Sequence, residues 1–287
     1  MTLTCSAKKR KLSPSVETGV VETTNSSSSK MINDSAEKDD LYFPTHLNEI
    51  HGSLFIDDII FEILQFLESL FIIQVCMKIS KQWRQVSFQI PLKLSFKRNH
   101  FEQLPESIIL LAKCESLKNL TALNLVFNEI DDECVKYIAT SESMKNLTCL
   151  NLSDNEIGNE GVKYIAASEF LTNLTSLDLG WNEIGNDGVK YIATSEFLNN
   201  LTSLNLSSNG IGNEDVKHIA TSAWLKNLTC LDLSINEIGN EGANYIANSE
   251  YLKNLTSLDL YDNRIGNDGV KYITTSEWLK NLTSFNL

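Results

Sequence analysis

The sequence contains no long uninterrupted run of apolar residues, and this absence excludes several classes of protein. No run approaches the roughly 18 apolar residues of a membrane-spanning helix. The first residues, MTLTCSAKKRKLSP, also lack the apolar core of a secretory signal. We therefore expect an intracellular protein, cytoplasmic or nuclear or both, with no membrane partner. Without a secretory route, the recurring Asn-Leu-Thr triplets are expected to be polar residues before strands and not sugar acceptors.

Residues that bind metals or perform catalysis are scarce. The 4 histidines are scattered, and the 6 cysteines form no C-x-x-C pair. Neither a G-x-x-x-x-G-K-[ST] phosphate loop nor a G-x-S-x-G nucleophile turn occurs. We therefore expect no metal, no cofactor and no enzymatic activity.

Basic residues are too few to balance the acidic ones. The net charge is -13, and residues 120–287 contain 10 basic and 23 acidic side chains, so this segment carries the whole excess. An acidic surface disfavours nucleic acid and anionic membranes as ligands. The charge favours a protein partner with a basic patch.

What the sequence has in abundance is a 27-residue unit, seen as LTCLNLSDNEIGNEGVKYIAASEFLTN at residues 147–173. A fixed period of this length predicts a solenoid. The few apolar residues of one copy contribute roughly 1.5–3 kcal/mol each on burial. Ordering its backbone costs roughly 1–2 kcal/mol per residue, so only a stack of copies can fold. The copies start at Leu120, Leu147, Leu174, Leu201, Leu228, Leu255 and, cut short, Leu282.

Each unit changes its periodicity from that of a strand to that of a helix. Leu150 and Leu152 alternate like strand residues, whereas Val162 and Ile165 are spaced like one face of a helix. Asn159 is predicted to be the helix N-cap, because its amide oxygen can accept from free backbone N–H groups at a helix start. Each unit is therefore predicted to be one strand followed by one helix.

The phrase L-x-x-L-x-L-x-x-N-x-I-G-N-E-G-V-x-x-I resembles a leucine-rich repeat, most closely the ribonuclease-inhibitor subtype. The resemblance implies an α/β solenoid shaped like a horseshoe, with a parallel sheet inside and helices outside. Stacked strands lie about 4.8 Å apart and packed helices about 10 Å apart, which favours the same curvature.

Residues 49–90 contain a second pattern, DDIIFEILQFL at 57–67 and ISKQWR at 79–84, which resembles an F-box. It departs from the family at Phe55-Ile56, where Leu-Pro is usual, and at Ser80, where Cys is usual. A three-helix unit follows from the resemblance, and the open alternative is a helical cap on the solenoid. The resemblance implies that a Skp-type adaptor of a cullin complex contacts Ile59, Ile63, Leu64, Leu67 and Trp83.

The remaining segments are a tail and an atypical repeat. Residues 1–48 are rich in Ser, Thr and charged residues and are expected to be disordered. Residues 91–119 are expected to form a degenerate capping repeat ahead of the repeats at 120–287. The tail carries a candidate nuclear import signal, or a simple solvated charge run, at Lys8, Lys9, Arg10 and Lys11.

Comparing the copies separates structural positions from variable ones. An asparagine recurs at the predicted strand exit, where its amide can satisfy backbone groups left by the turn. The position before it varies freely and is predicted to point toward the concave face, next to a polar strip between the core leucines. We interpret these two columns as a target-binding surface, with an ordinary solvated sheet face as the alternative. The candidate residues are Phe127, Asp154, Asp178, Trp181, Asp232, Ile235, Asp259 and Asp262.

Together these features predict the substrate-recognition subunit of a Skp-cullin-F-box type ubiquitin ligase. Two alternatives remain open from the sequence. One is a scaffold or inhibitor resembling ribonuclease inhibitor. The other is a regulator resembling the Ran GTPase-activating proteins, which also have acidic leucine-rich solenoids.

Overall fold

The computed structural model describes residues 91–96, 106–114 and 117–287. Within them, eight strands form one parallel sheet whose spatial order is the chain order. Helices alternate with the strands, which confirms the predicted α/β solenoid. The strands are β1 Leu92–Ser95, β2 Leu120–Asn124, β3 Cys149–Asn151, β4 Ser176–Asp178, β5 Ser203–Asn205, β6 Cys230–Asp232, β7 Ser257–Asp259 and β8 Ser284–Asn286. The helices are α1 Glu106–Ala112, α2 Asp132–Ala139, α3 Asn159–Ala166, α4 Asn186–Thr194, α5 Asn213–Ala220, α6 Asn240–Ala247 and α7 Asn267–Thr274.

The strand register follows the sequence period. Leu150 of β3 pairs with Leu177 of β4, and every pairing from β2 to β8 likewise joins equivalent positions of successive units. Only the β1–β2 pairing contains a register shift, next to Leu92. Because equivalent positions line up, each position of the unit forms a continuous column across the sheet.

The apolar core lies between the sheet and the helices. Leu150 and Leu152 from the strand segment and Val162 and Ile165 from α3 are at most 1% exposed. The same positions are buried in the neighbouring units and form one continuous cluster. The predicted core pattern is confirmed. Each copy covers the apolar faces of its neighbours, as expected for units that cannot fold alone.

The helix starts differ from the prediction at Asn159. Gly158 is the N-cap of α3, and Asn159 is the first helical residue. Its Oδ1 atom instead accepts from the N–H groups of Gly185 at 3.1 Å and Gly188 at 2.6 Å, at the start of α4. The predicted N-cap role is therefore wrong: this asparagine caps the helix of the next unit.

This cap explains the glycine that recurs at the third helical position. A Cβ atom on Gly188 would lie 2.8 Å from Asn159 Oδ1 and 2.6 Å from Ile184 Cγ2. Close packing at the start of the helix therefore explains this glycine. Two units have a side chain here and use their own acid as the cap: Asp131 accepts from Cys134 N, and Asp215 accepts from Gly212 N.

Candidate functional site

The polar strip of the sheet face also closes the strand exits. The Oδ1 atom of Asp178 accepts from Gly180 N at 3.1 Å, and that of Asn205 accepts from Ser207 N at 2.8 Å. Because an amide or a carboxylate oxygen can accept this bond, Asn and Asp are interchangeable in the strip, and only Asp adds charge. The same bond is made by Asn124, Asn151, Asp232 and Asp259.

The variable column lies in the turns after the strands and not within the strands. Its six members have left-handed backbone, with φ between 52° and 60°. This conformation costs a residue other than glycine roughly 1–2 kcal/mol. We call these six residues the turn column: Phe127, Asp154, Trp181, Ser208, Ile235 and Asp262.

The asparagine ladder holds each of these turns in place. Asn236 Oδ1 accepts from Asn209 N at 2.9 Å and Ile211 N at 3.0 Å. Its Nδ2 group donates to three carbonyl oxygens, those of Leu206, Leu233 and Ser234. The predicted role of the ladder in satisfying backbone groups is confirmed. The ladder also offsets the cost of the left-handed residue that precedes it.

The turn column presents side chains of different sizes to solvent. Trp181 is 55% exposed, and Asp154 and Asp262 are also exposed. Phe127 and Ile235 are half-buried. The predicted anchors therefore lie in one column, interrupted by acidic and small members.

A column of glutamates borders the turn column two residues further along the chain, at Glu129, Glu156, Glu183 and Glu237. In the other two units this position is Gly210 and Arg264. Arg264 Nη2 lies 3.1 Å from Glu237 Oε1 in an exposed ion pair. We call the strip, the turn column and the glutamate column together the sheet-side surface. Within residues 120–287, the sheet-side surface contains nine carboxylates and one guanidinium. This surface therefore carries most of the excess negative charge of that segment.

The helix side is closer to neutral, because the lysines of its helices form ion pairs with acidic residues one helical turn earlier in the chain. The Nζ–carboxylate distances are 3.1 Å for Lys136–Glu133 and 3.0 Å for Lys163–Glu160. The negative charge is therefore concentrated on the sheet-side surface.

Gly210 opens a cleft in this surface. Its φ is +69°, and no heavy atom lies within 4 Å of the place where a Cβ would stand. A groove of about 340 Å³ lies beside it, lined by Ile235, Glu237, Asp262 and Arg264 together with ladder residues Asn236 and Asn263. The groove combines an apolar wall with charged groups, which suits a side chain of a protein partner.

Burial raises the pKa of the Asp178 carboxyl above its ordinary value. The hydrogen bond from Gly180 acts in the opposite direction, and the negative charge of Asp232 adds to the increase. Asp178 is therefore the strip carboxylate whose charge is costly to maintain in the absence of a cation.

Within residues 91–96, 106–114 and 117–287, no group of His, Cys, Asp and Glu side chains has the arrangement of a metal site. Over the same residues, no helix has the length and apolar character needed to cross a bilayer.

Comparison with known proteins agrees with the repeat geometry. The sequence profile of the Leucine Rich repeat family matches residues 116–139, 143–166, 170–193, 197–220, 225–247 and 251–273. The chain is a leucine-rich repeat protein. The six matches correspond to the helices α2 to α7, and those over α4 and α7 end one residue before the helix does.

Among solved structures, this leucine-rich repeat protein is similar to an internalin from Listeria monocytogenes, with 22% identity and a TM-score of 0.38. The similarity covers 60% of this chain and 48% of the internalin, so the chain spans about half of that protein's length. No curated protein sequence matches the chain.

The eight predicted target-binding residues are brought onto the sheet-side surface. The register places Asp232 beside Asp259 on adjacent strands. Sequence reasoning did not single out the glutamate column, Gly210 or the 54% exposed Tyr261. The columns of the 27-residue comparison contained a signal for the first two, because Gly210 and Arg264 replace a recurring glutamate.

The other predicted sites lie outside the described residues. These are the F-box-like positions Ile59, Ile63, Leu64, Leu67 and Trp83, and the basic cluster Lys8, Lys9, Arg10 and Lys11.

Proposed function

We propose that this leucine-rich repeat protein is the substrate-recognition subunit of a Skp-cullin-F-box type ubiquitin ligase. Leucine-rich repeats indicate a protein–protein interaction module. The F-box-like segment at residues 49–90 would bind the Skp-type adaptor, and the sheet-side surface would bind a target protein with a basic patch. The subunit then works by proximity, since it holds the target near a ubiquitin-conjugating enzyme and performs no bond chemistry itself.

The observation that carries the target-binding half is the composition of the sheet-side surface. Nine carboxylates share this surface with an exposed tryptophan and two half-buried apolar side chains of the turn column. Aromatic anchors surrounded by polar groups are typical of protein-binding surfaces. Charge complementarity accelerates the encounter with a basic partner and selects against acidic ones.

Affinity capture from cell extract, followed by mass spectrometry, tests target binding. Trp181→Ala removes the most exposed anchor, and Asp178→Asn removes a charge while keeping the bond to Gly180, as Asn205 does in the next unit. Both variants are expected to lose a basic target. The matched control is Trp224→Ala, because Trp224 is 41% exposed and lies outside the sheet-side surface. Equal loss in the control would contradict the assignment of this surface.

A pull-down with a purified Skp-type adaptor tests the other half. The full chain is expected to bind the adaptor, and Trp83→Ala is expected to weaken binding. If the full chain does not bind while target capture still depends on Trp181, the scaffold or inhibitor alternative replaces the ligase assignment.

A further inference from the structure

The junction between α4 and α5 lacks three interactions that join other successive helices of the stack. They are an asparagine cap, a backbone hydrogen bond and a lysine–tyrosine stacking interaction. A different residue of the α5 unit accounts for each loss, and these residues are Asp215, Gly210 and His218.

The asparagine cap is present on both sides of this junction. Asn159 caps the start of α4, and Asn213 Oδ1 accepts from Gly239 N at 2.8 Å and Gly242 N at 2.9 Å at the start of α6. Asn186 is the equivalent residue of α4, and its side chain is exposed. Among the described residues, it makes no hydrogen bond to the start of α5.

Asp215 displaces this cap. It occupies the position of Gly188 and Gly242, where even a Cβ atom would approach the capping asparagine to 2.8 Å. Asp215 is 3% exposed, and its Oδ1 atom has no hydrogen-bond partner among the described residues. The substitution therefore both removes an inter-unit cap and buries an unsatisfied carboxylate oxygen.

The backbone hydrogen bond is missing at Gly210. Its counterparts donate across their junctions, Glu183 N to Ile157 O at 3.0 Å and Glu237 N to Ile211 O at 2.8 Å. With its left-handed φ, Gly210 makes no such bond within the described residues.

The stacking interaction is missing because His218 replaces a tyrosine. Lys163 Nζ lies 5.9 Å from the centre of the Tyr191 ring, and Lys217 Nζ lies 5.4 Å from that of Tyr245. Such pairs stabilise modestly at exposed sites. The counterpart Lys190 faces the His218 position, and in the described part of the chain it forms no such stacking contact.

The sheet is intact at the same place. β4 and β5 pair in register, and Thr202 Oγ1 donates to Thr175 O at 3.1 Å. We propose that the α4–α5 junction is a hinge at which the helix side opens while the sheet side holds. Trp181 lies on the α4 side of this hinge, and Ile235 and Asp262 lie on the other. Opening therefore changes the angle between two parts of the sheet-side surface.

Native-state hydrogen exchange of the full chain tests the hinge. The cap, the backbone bond and the stacking pair are all missing at this junction. We therefore expect the opening constants of the amides in α3–α4 and of those in α5–α7 to differ by at least tenfold, with this step located at the α4–α5 junction. The double variant Asp215→Gly with His218→Tyr restores the cap and the stacking ring, and is expected to reduce the step to less than threefold. A step at a different junction, or one that survives the repair, overturns the proposal.

Two further variants distinguish a hinge at one junction from a general change in the stability of the protein. Asn244→Lys strengthens the α6–α7 junction by providing a lysine for Tyr272, and the step is expected to stay at α4–α5. Gly188→Asp with Tyr191→His copies the loose junction to α3–α4, and a second step is expected there. The absence of that second step in the folded variant also overturns the proposal.

Discussion

Exchanging asparagine for aspartate in two columns of the same unit should have very different consequences for stability. Asn209 belongs to the ladder and is 8% exposed. Its Oδ1 atom accepts from Ile184 N at 3.1 Å, and its Nδ2 group donates to Leu179 O at 2.9 Å and Ser207 O at 3.0 Å. Asn209→Asp keeps the acceptor but places a carboxylate oxygen against two carbonyl oxygens.

The magnitude follows from these three bonds. Two hydrogen bonds are removed, each worth about 0.5–1.5 kcal/mol, and each buried group left unsatisfied costs about 1–3 kcal/mol. We expect the free energy of unfolding to fall by about 2–5 kcal/mol at neutral pH. The introduced carboxyl has a raised pKa in the folded state, because only its protonated form can donate. The penalty is therefore present above the pKa of the unfolded carboxyl, about 4, and disappears as the pH falls below it.

Urea unfolding followed by circular dichroism measures this difference. The control is Asn205→Asp in the strip of the same unit. Asn205 Oδ1 accepts only from Ser207 N, and Asp178 and Asp232 occupy the same column on adjacent strands. We expect the control to lower stability by no more than about 1 kcal/mol, because its carboxylate lies between those of Asp178 and Asp232. Equal losses in the two variants, or a penalty at Asn209 that does not decrease with acid, would refute the donor role of the ladder amide.

Three other predictions follow from single side chains. Gly188→Ala should lower the free energy of unfolding by about 1–3 kcal/mol, because its Cβ would press on Asn159; thermal denaturation measures this loss. Burial raises the pKa of the Cys134 thiol to about 12, so iodoacetamide at mildly alkaline pH should label the more exposed Cys149 first, as seen by mass spectrometry. Asp178→Asn should stabilise the fold slightly at neutral pH and not in acid, because the raised carboxyl pKa makes its charged form unfavourable; urea unfolding across pH shows the difference.

The sequence predicts well those features that depend on residues close together in the chain. The spacing of Leu150, Leu152, Val162 and Ile165 predicts a strand, a helix and the faces that they bury. The fixed period then predicts the stack. These features follow from the periodicity of apolar residues, and the complete pattern lies within a single unit.

Features that depend on a partner in the next unit are harder to predict. Asn159 has the residue type and position of an N-cap, yet its partners are Gly185 and Gly188 in the following unit. The left-handed turn at Trp181 is likewise hidden, because nothing in a tryptophan demands positive φ. Asp215 was visible as an exception in a glycine column, but its consequence for Asn186 required the geometry of the neighbouring caps.

The side-chain bonds between units join each copy only to its immediate neighbours. Asn146 Nδ2 donates to Lys118 O at 2.6 Å, and Thr148 Oγ1 donates to Thr121 O at 3.1 Å, and both bonds recur along the stack. Removing or duplicating one whole 27-residue block would therefore leave these two recurring bonds with equivalent partners. Inserting a single residue into a strand would misalign all of these columns at once. The architecture thus tolerates change in length by complete blocks, which gives evolution a simple route to a longer or shorter binding surface.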